Sequence, residues 1–334
     1  VTAIPISPDL QRALVAEAAR APTVHNVQPA RWRFLPDGGV LLFRAVDRAL
    51  PVADPTGHDL RVSLGAAWEG MSIALSRHGL RLSEPELSAD AREEAGLAPV
   101  ASARLIEGAA PDPLAAHVEA RRSYRGKFIP LPADVLNRLT VIGGEDARWV
   151  TGGERMGELA RMYDDAAYSF VREPAYHAEL YRWMRLSPAH PDWGRDGLNA
   201  ECMALSGVER AAASVLLRPR VFGLLRRVGA ARAVISEAPQ VRGASAILLF
   251  TPLREMGDFA VGRLFYRLWL EVSALGAGMV PMSALADSPA TRDRLSREHG
   301  VPESRRLANV LRVGGVPPGG AARSPRLPVG ELLV

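Results

Sequence analysis

An α+β fold with an internal duplication is what the 334-residue sequence predicts, on three observations. Residues 59–78 and 259–275 read as long helices with almost no wholly polar face, and a helix apolar nearly all round belongs inside a protein. Extended runs bounded by turn signals flank both. Gly65 and Gly79 stand fourteen residues apart, as do Gly262 and Gly276, so each pair brackets one of these helices. The second glycine of each pair suits the position that closes a helix.

Taken in order, Ser7, Pro8 and Asp9 open a helix with a capping hydroxyl, a first-turn proline and an acid at the positive dipole end. Leu10, Leu14, Val15 and Ala18 fall on one face, and Pro22 ends the helix. Residues 31–35 and 40–45 read as a hairpin around the turn Pro36-Asp37-Gly38-Gly39. A short helix over 114–120 leads into a basic stretch. Further helices are predicted near 132–134 and over 154–171 and 175–184, with a strand at 148–151. Residues 243–251 read as a buried strand. In the helix over 259–275, Arg263, Arg267 and Glu271 recur every four residues as one thin polar stripe. Residues 279–283 resume an extended form, and 307–313 form a last strand. Residues 185–207 are irregular and long for a simple connector, which marks them as a candidate lid.

Composition narrows the function. Hydrophobic residues make up 48% of the chain and charged ones 23%, ordinary for a globular protein. The net charge is +4, but Lys127 is the only lysine and the arginines are scattered among 37 acids. That distribution argues for an anionic small ligand rather than nucleic acid. Cys202 stands alone, which excludes a disulfide framework and a thiolate metal cluster. Histidine spacing gives no metal site, and no Rossmann, Walker or nucleophile-elbow motif is present. No run reaches the ~18 apolar residues of a membrane span, and the first residues lack a leader's pattern. The expectation is a cytoplasmic chain with a small-molecule substrate and neither a nucleic-acid nor a membrane partner.

Two polar stretches carry chemistry. Residues 20–34, RAPTVHNVQPARWRF, form a loop dense in short, directed polar groups: Thr23, His25, Asn26 and Gln28, framed by Pro22 and Pro29. Residues 121–128, RRSYRGKF, are a basic segment whose guanidinium forks suit phosphate oxygens. Together these resemble the two flavin-binding signatures of the nitroreductase superfamily, and the fused, Acg-like branch in particular, over nearly the whole chain. Thr23 stands where the family usually has Ser, and Ala30 where Trp often follows the Q-P pair. The family's usual order of the two signatures is reversed.

The resemblance implies a nitroreductase-like α+β fold with mixed β-sheets packed around long central helices. It implies two degenerate copies fused into a pseudo-dimer, residues 1–120 supplying a flavin-covering loop and 121–334 the main FMN site. One FMN per chain and a monomer follow. Arg121, Arg122 and Ser123 take the phosphate positions and Arg125 the ring edge near N1. Pro22, Thr23, His25, Asn26 and Gln28 cover the flavin. Pro281, Met282 and Ser283 lie along the ring, where a backbone N–H can reach N5. Arg312 with Gly314-Gly315, then Arg323 and Arg326, resemble C-terminal phosphate contacts, with a plain exposed strand residue as the other reading of Arg312. No protein residue is assigned the chemistry, which is flavin-borne. The implied activity is hydride transfer from NAD(P)H through FMN to a nitroaromatic or quinone by a ping-pong cycle. Two alternatives stand beside it: a lid-closed, FMN-sequestering protein, and a flavin dehydrogenase or oxidase of a biosynthetic intermediate.

Overall fold

The computed structural model describes residues 4–88, 92–320 and 322–334. The first part of the chain runs α1 (Pro8–Ala18), β1 (Ala30–Phe34), β2 (Gly39–Ala45), α2 (His58–Ser76), β3 (Leu80–Leu82), β4 (Glu86–Leu87) and β5 (Leu97–Glu107). After the basic segment come α3 (Ala133–Leu139), β6 (Ala147–Val150), α4 (Gly153–Val171), α5 (Pro174–Arg182), β7 (Met184–Arg185) and β8 (Leu198–Asn199). Four helices follow: α6 (Gly207–Leu216), α7 (Pro219–Arg227), α8 (Ala231–Ile235) and α9 (Ala238–Arg242). The chain closes with β9 (Ala246–Phe250), α10 (Asp258–Ala274), β10 (Ala277–Pro281), α11 (Ala284–Asp287), α12 (Pro289–Glu298) and β11 (Asn309–Gly315).

Two sheets share one plan. The first has the order β1-β2-β5-β3, with β4 beside β5, and the second β6-β9-β11-β10. In each, the second strand feeds a long helix, α2 or α10, that returns the chain to the far edge of its own sheet. The ladders within both sheets are antiparallel. Parallel pairing enters at the edges, where Ser123 bridges Met279 and Trp32 bridges Leu333, and in the small β7–β8 pair. β9 is buried along its whole length because both its faces are covered. Ile247 and Leu249 pack toward α4, α11 and α12, whereas Ala246, Leu248 and Phe250 pack toward α10. Such a strand reads as a continuous apolar run, which is how residues 243–251 announce it.

The two long helices cross at the centre. A Cβ built on Gly65 of α2 would lie 1.9 Å from the Phe259 carbonyl oxygen, and one on Gly262 of α10 would lie 2.1 Å from that of Val62. The contact is reciprocal: each glycine meets the backbone three residues before the other. Mid-helix glycine costs about 0.5–1 kcal/mol relative to alanine, so both positions trade propensity for contact between backbones. Around the crossing, Trp68 stacks on Trp32 and meets Phe259 edge-on. Gly79 and Gly276 close the two helices at φ 70° and 75°, as their spacing anticipates.

Two local expectations change. The segment leading to the basic stretch is a 3-10 turn over Pro113–His117 rather than an α-helix. The polar stripe of α10 also turns partly inward. Arg263 Nε and Arg267 Nη1 each donate to the buried Glu69 of α2 at 2.9 Å, and Arg267 reaches Asp112 at 2.7 Å. A buried carboxylate is tolerated when it is paired in this way. The C-terminal residues then leave the second sheet and return to the first. Trp32 N–H donates to Leu332 O at 2.7 Å, Val334 N–H to Trp32 O at 2.9 Å, and Leu327 and Leu332 enter the first core.

Gly65→Ala and Gly262→Ala should each lower unfolding stability by about 3 kcal/mol, because the helices must separate to admit a methyl group. Gly153→Ala, at a position with no atom within 4 Å of its would-be Cβ, should stay within about 0.5 kcal/mol of the parent. Chemical denaturation of the three variants measures both.

Candidate functional site

The covering loop is held in a costly backbone shape. His25, Asn26 and Gln28 have φ of 44°, 57° and 54°, a region that residues with a Cβ seldom adopt. Side chains fix it there. Thr23 Oγ1 accepts from Gln28 N–H at 3.2 Å, and Val24 N–H donates to Ser63 Oγ of α2 at 3.3 Å. Asn26 Nδ2 donates to Gly197 O (3.1 Å) and Pro325 O (3.0 Å), while its Oδ1 accepts from Arg326 Nη1 at 2.8 Å. Gln28 Nε2 donates to Arg195 O at 2.9 Å, and its Oε1 accepts from Leu327 N–H at 2.8 Å. Both amides are therefore spent on tying the loop to residues 195–197 and to the C-terminal segment.

The basic segment runs beside β10, where Ser123 bridges Met279 and Tyr124 N–H donates to Met279 O. Arg121 is buried against the face of Trp269, with its guanidinium carbon 5.0 Å from the ring centroid, and near Tyr266. Its Nη2 donates to Arg20 O at 2.6 Å, whereas Nε and Nη1 are buried without a hydrogen-bond partner. Arg125 likewise keeps a buried Nη1 without a partner. Arg312 is 0% exposed and braces this segment from behind. Its two terminal nitrogens donate to Gly126 O (3.1 Å) and Arg125 O (2.8 Å). Its exposed-strand reading is thereby overturned: β11 presents Arg312 inward because the turn of the basic segment offers it two carbonyls.

A cleft of about 270 Å³ lies between the halves. Arg121, Arg122 and Ser123 form one side of it, and Arg323, Ser324 and Arg326 of the returning C-terminal segment another. Arg20 and Glu119 sit at its rim, where Glu119 pairs with Arg20 at 3.0 Å and with Arg323. Arg326 donates to Ala19 O at 2.5 Å and to Asn26. Burial, and then the charge of Arg121, push Arg326 down to about 9. Burial also lowers Arg121; the neighbouring Tyr266 hydroxyl offsets part of this, and Arg125 lowers it further. Desolvated arginines that depress one another lack a counter-charge, and a bound anion would relieve all of them.

From the arginine cleft the site continues past Arg125. Burial, and then the nearby Arg125 charge, hold the His25 imidazole down to about 4, so it is neutral at ordinary pH. Cys202 is fully buried, raised by burial and lowered by Arg125 and Ser324, which brings residues 199–204 into the same space. Ala204 also stands against Gly126. The irregular stretch 185–207 thus lies over both signatures. Arg185 and Arg48 anchor it through the buried Asp196, at 2.5 and 2.6 Å. Beyond lie Tyr163, raised by burial and by Glu237, and Tyr176. Asp59 is raised to about 6 by burial and Asp54, and Asp287 to about 7 by burial and Asp59. Pro281, Met282 and Ser283 stand at the end of β10. Met282 points into the second core and donates its N–H to Val310 O at 2.6 Å, and Ser283 Oγ lies against Asp287. Among the described residues no group of His, Cys, Asp and Glu could hold a metal ion.

Sequence reasoning does not reach the site role of Cys202, Tyr163, Tyr176, Tyr266 or Trp269, and it names Arg312 without its bracing role. Tyr266 and Trp269 carried one available signal: three residues apart on α10, they share a helix face.

The fold and the cleft define an α+β protein with an arginine-lined cleft and two sheets of one strand plan. No family model matches the chain. It is 30% identical over 177 residues to Rv3131 of Mycobacterium tuberculosis, named "Putative NAD(P)H nitroreductase", covering 52% of this chain and 50% of that protein. With the similarly named Acg protein of the same organism it shares 34% identity over 74 residues, 22% of each. The chain therefore spans about half, or less, of these named relatives. It is also 26% identical over 361 aligned positions to the uncharacterized protein Rv3127, covering 95% of this chain and 90% of that one. Among solved structures, the FMN-dependent nitroreductase NfnB from Mycobacterium smegmatis, in complex with NADPH, is similar at a TM-score of 0.37 and 18% identity, over 64% of this chain and 94% of that one. The chain is a distant homologue of the Rv3131 and Acg proteins.

The depressed His25 makes a signed prediction. Its folded value, about 4, lies below the ordinary ~6.5, so the unfolded chain takes up the proton first. Stability falls as pH drops from about 6.5 toward 4, by at most about 3 kcal/mol. Histidine NMR should find one imidazole neutral to near pH 4, and His25→Gln should flatten this part of the stability profile. A His25 signal titrating near 6.5 contradicts the placement.

Proposed function

We propose that the chain is an FMN-dependent oxidoreductase whose single flavin site lies between two degenerate copies, residues 1–120 and 121–334. The observation that carries the reading is the pair of orphaned donors at the cleft, Arg121 Nε and Nη1, with Arg125 Nη1 orphaned farther along. Unpaired buried guanidinium nitrogens cost free energy unless a ligand meets them. A phosphate fits that donor set, with Ser123, Arg122, Arg323 and Arg326 on the same walls. Arg125, farther along, would face the developing negative charge of a reduced isoalloxazine ring. The names of the relatives bring NAD(P)H as electron donor and an electron-poor acceptor.

When bound, FMN would supply two-electron hydride chemistry between such a donor and acceptor. The chain's own part is to bind, orient and exclude water. Arg121 and Arg326 hold the anionic end, and Arg312 fixes the carbonyls of Arg125 and Gly126 so that the basic segment keeps its shape. The strained loop 23–28 walls the site from the other half. His25, neutral, adds no second cation beside Arg125. The matching strand orders of the two sheets and the reciprocal glycines at the helix crossing support the two-copy reading. With one basic segment and one covering loop per chain, a monomer with one flavin follows.

A second reading, FMN sequestration without turnover, is favoured by one observation: residues 195–204 lie over the covering loop and the basic segment. Anaerobic addition of NADPH to the flavin-loaded protein separates the two. Rapid bleaching supports the reductase, and a flavin reduced by dithionite alone supports the closed site. The arginines have their own test. Arg121→Ala should weaken FMN binding about ten- to a hundredfold and leave riboflavin, which has no phosphate, unaffected. Equal loss for both ligands, or no binding by the parent protein, contradicts the assignment.

A further inference from the structure

Helices α6 and α7 form the part of the molecule least explained by its core. α6 buries none of its ten residues, and α7 buries only Phe222. Several of their apolar residues face outward. Val208 is 82% exposed and Val215 47% on α6, while Leu224 is 59% and Val228 76% exposed at the end of α7. Val208 and Val215 are two turns apart on one face, with the exposed Ala212 between them. Leu224 and Val228 are one turn apart, and Arg220 and Arg227 lie three or four residues from Leu224 on the neighbouring stripe. An apolar helix stripe is normally buried against something.

The charge around these stripes is one-sided. Between residues 206 and 230 the sequence carries Arg210, Arg218, Arg220, Arg226 and Arg227 against a single acid, Glu209. Glu209 is already engaged in capping α6, where it accepts from Ser206 N–H at 2.8 Å. Among the described residues, Arg210, Arg220 and Arg227 form no ion pair. We propose that the α6–α7 pair docks on an anionic lipid bilayer surface, its valines and leucine entering the headgroup boundary and its arginines meeting lipid phosphates. Basic amphipathic helices lie in this way at interfaces.

Charge complementarity favours an anionic bilayer: five arginines against one engaged acid flank an aliphatic stripe. A second copy would bring the same arginines against one another. Docking needs no span: among the described residues no helix is long and apolar enough to cross a membrane. The proposal replaces the expectation of no membrane partner, which weighed spanning segments and not surface contacts.

The test is co-sedimentation of the full chain with phosphatidylcholine vesicles, with and without phosphatidylglycerol, at low and high salt. The protein should bind the anionic vesicles selectively and lose binding as salt rises. Arg220→Gln with Arg227→Gln, and separately Leu224→Gln with Val228→Gln, should each weaken binding about tenfold or more. All four side chains lie on the outer part of α7 or its end, so unchanged melting temperatures serve as the folding control. No selective sedimentation, or equal sedimentation of parent and variants, overturns the proposal. So does a dimer in analytical ultracentrifugation that the Leu224/Val228 substitutions dissolve.

Discussion

The contact of two helix backbones at Gly65 and Gly262 is the constraint on which the rest depends. Each helix brings its own sheet to the crossing, so the distance between the helices sets the distance between the two halves. The covering loop is attached to α2 through Ser63, and the basic segment rests on α10 through Arg121 over Trp269. A methyl group at the crossing would displace the covering loop relative to the basic segment. Packed interiors pass such displacements on because they hold little free volume.

The second feature is an imbalance of charge kept in place by packing. Arg121 and Arg326 are gathered where burial disfavours their charge, and the C-terminal segment returns from the second sheet to the first to complete the set. That return is secured by groups of the covering loop: Asn26 bonds Pro325 and Arg326, and Gln28 bonds Leu327. The loop's left-handed residues, the tail and the arginines are therefore one mutually braced unit. Strain and uncompensated charge at the same place are what a preformed anion site shows before its ligand arrives.

How much of this was legible follows from where each signal lives. α2, α10 and β9 are readable because their apolar pattern depends on burial alone. β5 is not signalled, because its sequence LAPVASARLIE dilutes alternation with alanine, proline and serine. α6 and α7 carry arginine-rich faces that no core enforces, so periodicity there is a poor guide to packing. The two signatures are legible as polar stretches with directed donors. Arg312 is not, since a strand position does not reveal which face will find two carbonyls. Cys202 and Tyr163 reach the site only through tertiary packing of residues distant in sequence.

The most direct measurement is flavin stoichiometry on monodisperse protein: FMN released per chain, alongside the mass in solution. One FMN per chain in a monomer is the result the proposed site predicts, because the chain carries one basic segment and one covering loop. Two flavins per chain, or flavin retained only by a dimer, would contradict the claim that a single chain builds the whole site.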